Sequence, residues 1–176
     1  RSIGVIGPNA DSRAALVGNY EGTASEYVTV LEGIREAAGD GVRVFYSQGC
    51  HLYRDRISGL AAADDRLAEA KAVADASDVV VMCLGLDATI EGEEGDAGNE
   101  FGSGDKLSLG LPGKQQQLLE AVVACGKPVI LVLLAGSALA VTWADGQDSV
   151  PAIVQGWYPG AQGGRAIGQL LFGAYS

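Results

Sequence analysis

The chain has 176 residues, of which 48% are hydrophobic and 19% charged, and its net charge is −10. This length and hydrophobic content predict one domain with a buried core rather than a disordered chain. The negative charge and the lack of a basic patch argue against nucleic acid and anionic membranes as partners, and no apolar run has the roughly 18 residues that a membrane span needs. A neutral ligand such as a sugar is compatible with this composition.

The first elements alternate between strand and helix. The apolar run "SIGVIG" predicts a buried strand that ends at Gly7 and Pro8, and "VRVFYS" predicts a second strand. Between them, "TVLEGIREAAGDG" has apolar residues at helical spacing, with Thr29 as a candidate N-cap and Gly39 as a stop.

The alternation continues to the end of the chain. The later elements are a helix "DDRLAEAKAVADAS", a strand "DVVVMCLG", a helix over about 113–125, strands "PVILVLLAG" and "PAIVQGWYPG", and a helix over about 162–171. Residues 1–176 are therefore predicted to form a single α/β domain, a three-layer sandwich whose mostly parallel, doubly wound sheet has helices on both faces. Because the chain begins directly in a strand and ends just after a helix, we expect it to be a fragment of a longer polypeptide.

The connection after "DVVVMCLG" is unusually long. It covers residues 86–112, whereas such connections commonly take about two to six residues. In a doubly wound sheet this position, the carboxyl end of a strand, is where ligands bind. Its acidic residues concentrate near the strand: Asp87, Glu91, Glu93, Glu94 and Asp96.

Three interpretations of this acidic loop remain open from the residues alone. It could be a solvated flap, as runs of charge usually are. It could bind a metal ion, although its spacing does not match the calcium-loop pattern D-x-[DN]-x-[DN]-G. It could carry a catalytic carboxylic acid, which would require a surface from outside the chain to shield it from water. Neither a metal nor a cofactor is expected.

The motifs of the whole chain, in their order and spacing, resemble the C-terminal α/β-sandwich domain of glycoside hydrolase family 3. The stretches that carry the resemblance are "IGPNAD", "GNYEGTASEYVTVLEGI", "GLDATIEGEEGD", "GDKLSLGLPGKQQQLLEAV" and "GWYPGAQGGRAIGQLLFG". They are most similar to the branch that contains β-xylosidases and related β-glucosidases.

The resemblance implies a retaining exo-glycosidase that removes terminal β-linked sugars from saccharides. It also implies a partner, an N-terminal barrel domain of the same polypeptide, which is absent from this chain and supplies an aspartate nucleophile. The sandwich domain then contributes the general acid/base. The alternatives are a non-catalytic carbohydrate-binding or interaction domain of the same descent, and a nucleotide-binding module, which the missing G-x-G-x-x-G fingerprint disfavours.

The family's acid/base glutamate lies six residues beyond the residue that ends the strand, and this count from Gly85 identifies Glu91. Glu93 and Glu94 are rivals, because chemistry alone does not rank neighbouring acids on one loop. Asp87 and the pair Asp105 and Lys106 are predicted to support the loop or to contact the sugar. The family usually has arginine where Lys106 stands. Lysine keeps the positive charge but lacks the planar guanidinium group that can form two parallel hydrogen bonds with a carboxylate.

Several other residues are predicted to have structural roles. His51 follows Cys50 without a second ligand nearby, so a satisfied polar side chain is favoured over a metal ligand. Trp143, Trp157 and Tyr158 could stack on a sugar, but packing against the sheet is favoured. The remaining predictions concern small residues: Gly163 and Gly164 are expected to allow a close helix contact, and the two of the three cysteines that lie in apolar runs are expected to be buried thiols.

Overall fold

The computed structural model describes residues 1–19, 21–56, 62, 64–92 and 106–175, apart from the side chain of Asp65. Within these ranges no helix combines the length and apolar character that crossing a bilayer requires. The strands are β1 Ser2–Ile6, β2 Arg43–Ser47, β3 Val79–Gly85, β4 Val129–Leu134 and β5 Ala152–Gln155. The helices are α1 Val30–Ala38, α2 Asp65–Asp75, α3 Gln115–Val123, α4 Thr142–Asp145 and α5 Gly163–Leu171.

The five strands form one parallel sheet in the order β2-β1-β3-β4-β5. The chain first moves outward from β1 to β2, then crosses to β3 on the other side of β1, so the sheet is doubly wound as predicted. The strand order itself was not predicted. Because all strands run the same way, the loops after β3, β4 and β5 meet along one edge of the sheet, which we call the carboxyl edge.

Alternate residues of the strands pack into two separate cores, one on each face of the sheet. On β3, Met82 and Leu84 face a core with α2 and α3, whereas Val81 and Cys83 face a core with α1 and α5. This arrangement confirms the predicted three-layer sandwich. It also explains why the central strands are apolar without interruption, since both of their faces are covered.

Helix α1 begins and ends as its sequence predicts. Thr29 caps its N-terminus with a capping box: the Thr29 hydroxyl accepts from the Glu32 N–H, and the Glu32 carboxylate accepts from the Thr29 N–H at 2.8 Å. The helix then packs closely on α5 through glycines. A Cβ atom on Gly33 would overlap the carbonyl of Gly164, and one on Gly164 would overlap the carbonyl of Thr29. The prediction of a close helix approach at Gly164 is therefore confirmed.

The last strand is shorter than predicted. The run "PAIVQGWYPG" was expected to be extended to its end, but β5 stops at Gln155. Trp157 has φ of 56°, a value that is uncommon for a residue other than glycine, and it lies two residues beyond the end of the strand. Hydrophobic content alone does not predict such a backbone conformation. Trp143 lies in the four-residue helix α4 rather than in an irregular connector.

Candidate active site

The acidic loop leaves β3 through a tightly packed glycine. Gly85 has φ of 138°, and a Cβ atom there would overlap the backbone of Leu134 on β4. The chain then forms one turn in which the N–H groups of Ile90 and Glu91 donate to the carbonyl of Asp87 at 3.2 and 3.0 Å. Glu91 thus lies one turn beyond the end of β3, above the carboxyl edge.

The carboxylate of Asp87 stabilises this turn from within. Its side chain is buried, and Oδ1 accepts from the Thr89 N–H at 2.8 Å and from the Thr89 hydroxyl at 2.5 Å. An aspartate that accepts from the residue two positions ahead is a common way to fix a turn. The contacts of Asp87 are therefore those of a residue that supports the loop.

Glu91 connects three loops through one oxygen atom. Its Oε2 accepts from the Tyr158 hydroxyl at 2.6 Å and from the Gly136 N–H at 2.9 Å. Gly136 follows β4 and Tyr158 follows β5, whereas Glu91 follows β3. Glu91 as a whole is partly buried, and these two hydrogen bonds fix the position of its carboxyl group.

Tyr158 is packed tightly into this position. A Cβ atom on Gly136 would lie 2.7 Å from Cε2 of its ring, and one on Gly18 would lie 3.3 Å from Cδ2. Burial, followed by the hydrogen bond to Glu91, raises the pKa of the Tyr158 hydroxyl far above its ordinary value. The hydroxyl therefore remains a proton donor throughout the pH range in which proteins are folded.

The return of the loop is attached to the carboxyl edge by Lys106. Its ammonium group donates to the carbonyl of Ala138 at 2.7 Å, in the segment that follows β4. The rival glutamates Glu93 and Glu94, and Asp105, which was paired with Lys106, lie outside the described residues.

Gln115, at the start of α3, holds the base of the loop and is completely buried. Its Oε1 accepts from the Gly85 N–H at 2.8 Å, and its Nε2 donates to the carbonyls of Gly85 at 2.8 Å and Leu52 at 2.7 Å. One amide thus joins the end of β3 to the segment after β2. The sequence predicted a helix start here but not this role.

Gln115→Ala is expected to lower the free energy of unfolding by about 2 kcal/mol, because it leaves buried backbone groups of Gly85 and Leu52 without partners. Urea denaturation of the chain measures the change. Gln117→Ala, an exposed position on the same helix, is the matched control and should change stability by less than about 0.5 kcal/mol. Equal effects of the two substitutions would contradict this role.

His51 makes the contacts of a structural residue. Its Nδ1 accepts from the N–H groups of Tyr53 at 3.3 Å and Arg54 at 3.0 Å, and burial lowers the pKa of its ring. Among the described residues, no three His, Cys, Asp or Glu side chains are grouped as metal ligands would be. Of the cysteines, Cys50 and Cys83 are buried and Cys125 is partly buried, all as free thiols.

The packing interpretation fails for the tryptophans and is correct for Tyr158. Trp157, after β5, is 57% exposed, so the prediction that it packs on the sheet is wrong, and Trp143, in α4, is 36% exposed. Tyr158 is packed, as described above. Leu107 and Leu109, in the return of the acidic loop, are also exposed, at 75% and 58%.

Comparisons with known proteins all point to one family. The sequence profile described as the glycosyl hydrolase family 3 C-terminal domain matches residues 1–176. Probable β-D-xylosidase 7 of Arabidopsis thaliana is 36% identical over an alignment of 176 positions, which covers 99% of this chain and 20% of that protein. The periplasmic β-glucosidase of Salmonella typhimurium is 34% identical over an alignment of 190 positions, which covers 99% of this chain and 23% of that protein.

Solved structures give the same result. A family 3 exo-β-xylosidase in complex with a xylobiose aziridine activity-based probe superposes with a TM-score of 0.83 at 29% identity, covering 98% of this chain and 20% of that one. A β-glucosidase from Erythrobacter marinus superposes with a TM-score of 0.81 at 34% identity, covering 99% and 24%. The chain thus spans about a fifth of the length of the relatives that it matches.

Proposed function

Since the chain belongs to glycosyl hydrolase family 3 as its C-terminal domain, we propose that it supplies the general acid/base of a retaining, exo-acting β-glycosidase. The relatives are named as β-xylosidases and β-glucosidases, and the proposed substrates are saccharides with a terminal β-linked sugar of these types. Each relative is several times longer than this chain. We therefore also propose that the rest of the polypeptide includes an N-terminal barrel that binds the sugar and provides an aspartate nucleophile.

The observation that carries the proposal is the placement of Glu91. Its Oε2 is held by Gly136 and Tyr158 at the carboxyl edge, where doubly wound domains present functional groups. With Oε2 accepting both hydrogen bonds, a proton carried on Oε1 is the one available for transfer. A carboxyl group held in one position on a fixed turn suits proton transfer, which requires a defined distance to the leaving oxygen.

The proposed reaction divides between two domains. The barrel aspartate attacks the anomeric carbon while Glu91 protonates the departing glycosidic oxygen, and the two carboxyl groups lie about 5 to 5.5 Å apart across the sugar. Glu91, now ionised, then removes a proton from the water that hydrolyses the glycosyl-enzyme, and so regains its proton. The side chains of Leu107, Leu109 and Trp157 are apolar and exposed, which is typical of an interface. They support the proposal that the barrel covers this side of the domain.

The hydrogen bonds of Glu91 also support a second assignment of the proton donor within the same proposed function. A carboxylate that accepts two hydrogen bonds through one oxygen is well suited to anchor a loop. In that case Glu91 would fix the turn, and the proton would come from Glu93 or Glu94, which lie two and three residues further along the sequence. Substitution of each glutamate in the full-length protein separates these assignments.

The isolated chain is expected not to hydrolyse aryl β-xylosides or β-glucosides, because the proposed nucleophile and most of the sugar site belong to the barrel. The full-length protein should hydrolyse at least one of them. Release of the aryl alcohol by each protein, measured at equal concentration, tests the division of labour. Turnover by the isolated chain would contradict it, and a full-length protein inactive on both substrates would contradict the proposed enzyme class.

A further inference from the structure

We propose that Tyr158 is a positioning residue for the proton transfer: its hydroxyl holds Oε2 of Glu91 so that the opposite oxygen, Oε1, has one defined position. The inference rests on the proposed acid/base role of Glu91. It extends that role to a residue 67 positions further along the chain, on a different loop.

The two donors to Oε2 come from different loops and act together. The Gly136 N–H fixes the carboxylate from the loop after β4 at 2.9 Å, and the Tyr158 hydroxyl fixes it from the loop after β5 at 2.6 Å. A single donor would leave the carboxyl group free to rotate about that bond. Two donors to the same atom restrict this rotation, and neither of them uses Oε1, the oxygen that carries the proton in the acid step.

The surroundings of Tyr158 are shaped to hold its ring. Gly136 and Gly18 lie so close to the ring that a Cβ atom on Gly136 would collide with it. Trp157, immediately before it, has a positive φ of 56°, which residues other than glycine rarely adopt. Backbone strain of this kind persists where the surrounding structure requires it, and it is common next to functional groups. Tyr158, the next residue, donates to Glu91, whereas Trp157 itself is 57% exposed.

Tyr158→Phe removes the hydroxyl and keeps the ring. In the full-length protein we expect it to lower kcat about 10-fold on a phenyl glycoside, because small displacements of a catalytic group are costly. A dinitrophenyl glycoside, whose leaving group needs little protonation, should lose less than about 2-fold in this first chemical step. A purely structural role would slow both substrates alike. The matched control is Tyr46→Phe, which removes the hydroxyl of another half-buried tyrosine, on the edge strand β2.

Comparison with Glu91→Ala shows whether Tyr158 acts through Glu91. The double variant Glu91→Ala/Tyr158→Phe should be no slower than Glu91→Ala alone, because the group that Tyr158 positions has already been removed. A full 10-fold further loss in the double variant, or an unchanged rate in Tyr158→Phe alone, would overturn the inference. The proposed function would still be supported if added azide, a nucleophile that needs no base, restored turnover by Glu91→Ala. Failure of azide rescue in Glu91→Ala would instead remove the proposed role of Glu91, and this inference with it.

Discussion

Replacing Glu91 with alanine in the full-length protein is expected to lower kcat on a phenyl β-glycoside by about 100- to 10,000-fold, the usual contribution of a general acid/base. The loss should be much smaller for the first step with a dinitrophenyl glycoside, because its leaving group departs without a proton. Steady-state kinetics with a series of aryl glycosides of different leaving-group acidity measure the effect. The slope of log kcat/KM against leaving-group pKa should steepen in the variant.

The control for this substitution is Glu120→Ala, which removes an exposed glutamate from α3. Its rates should match those of the unchanged protein. Glu93→Ala and Glu94→Ala should also retain most of the activity on both kinds of substrate. If Glu93→Ala or Glu94→Ala showed the large, leaving-group-dependent loss instead, Glu91 would be an anchor of the loop rather than its proton donor.

Gly33→Ala is expected to lower the free energy of unfolding by about 3 kcal/mol, the upper part of the usual range for overpacking. The added Cβ would overlap the backbone of Gly164, so α1 and α5 would have to separate. Intrinsic helix propensity acts in the opposite direction, since alanine is favoured over glycine by about 1 kcal/mol within a helix. Overpacking against rigid backbone is the larger effect, and it determines the sign.

Urea denaturation of the chain measures this change, with Gly41→Ala as the control. Gly41 is exposed, and nothing lies within 4 Å of a Cβ atom added to it. That variant should therefore differ from the unchanged chain by less than about 0.5 kcal/mol. A Gly33→Ala chain as stable as the unchanged one would show that the two helices tolerate a wider separation than their packing indicates.

The class of fold was predictable because alternating strand and helix patterns have few physical solutions. The uninterrupted apolar runs of β3 and β4 require cover on both faces, which indicates a parallel sheet with helices on each side. The order of the strands was not predictable, since it depends on which helix packs on which face. The close contact of Gly33 with α5 depends on that order, and no sequence pattern near Gly33 predicts it.

The candidate site was predictable only in part. The length of the acidic loop and its place after β3 indicated a functional segment, and family spacing identified Glu91. Its partners could not be predicted, because Gly136 and Tyr158 lie far along the chain and meet Glu91 only through the order of β3, β4 and β5. Trp157 was misinterpreted because an apolar run predicts burial, whereas its side chain is exposed beyond the end of β5.

The most direct test of the central proposal is the product that Glu91→Ala forms in the presence of azide. If Glu91 is the acid/base, its removal leaves a glycosyl-enzyme that water attacks slowly. Azide needs no base, and it attacks the anomeric carbon on the face of the sugar opposite to the aspartate nucleophile. NMR of the reaction mixture should then show a β-glycosyl azide with Glu91→Ala and none with Glu93→Ala or Glu94→Ala. A β-glycosyl azide from Glu93→Ala or Glu94→Ala, and none from Glu91→Ala, would contradict the account.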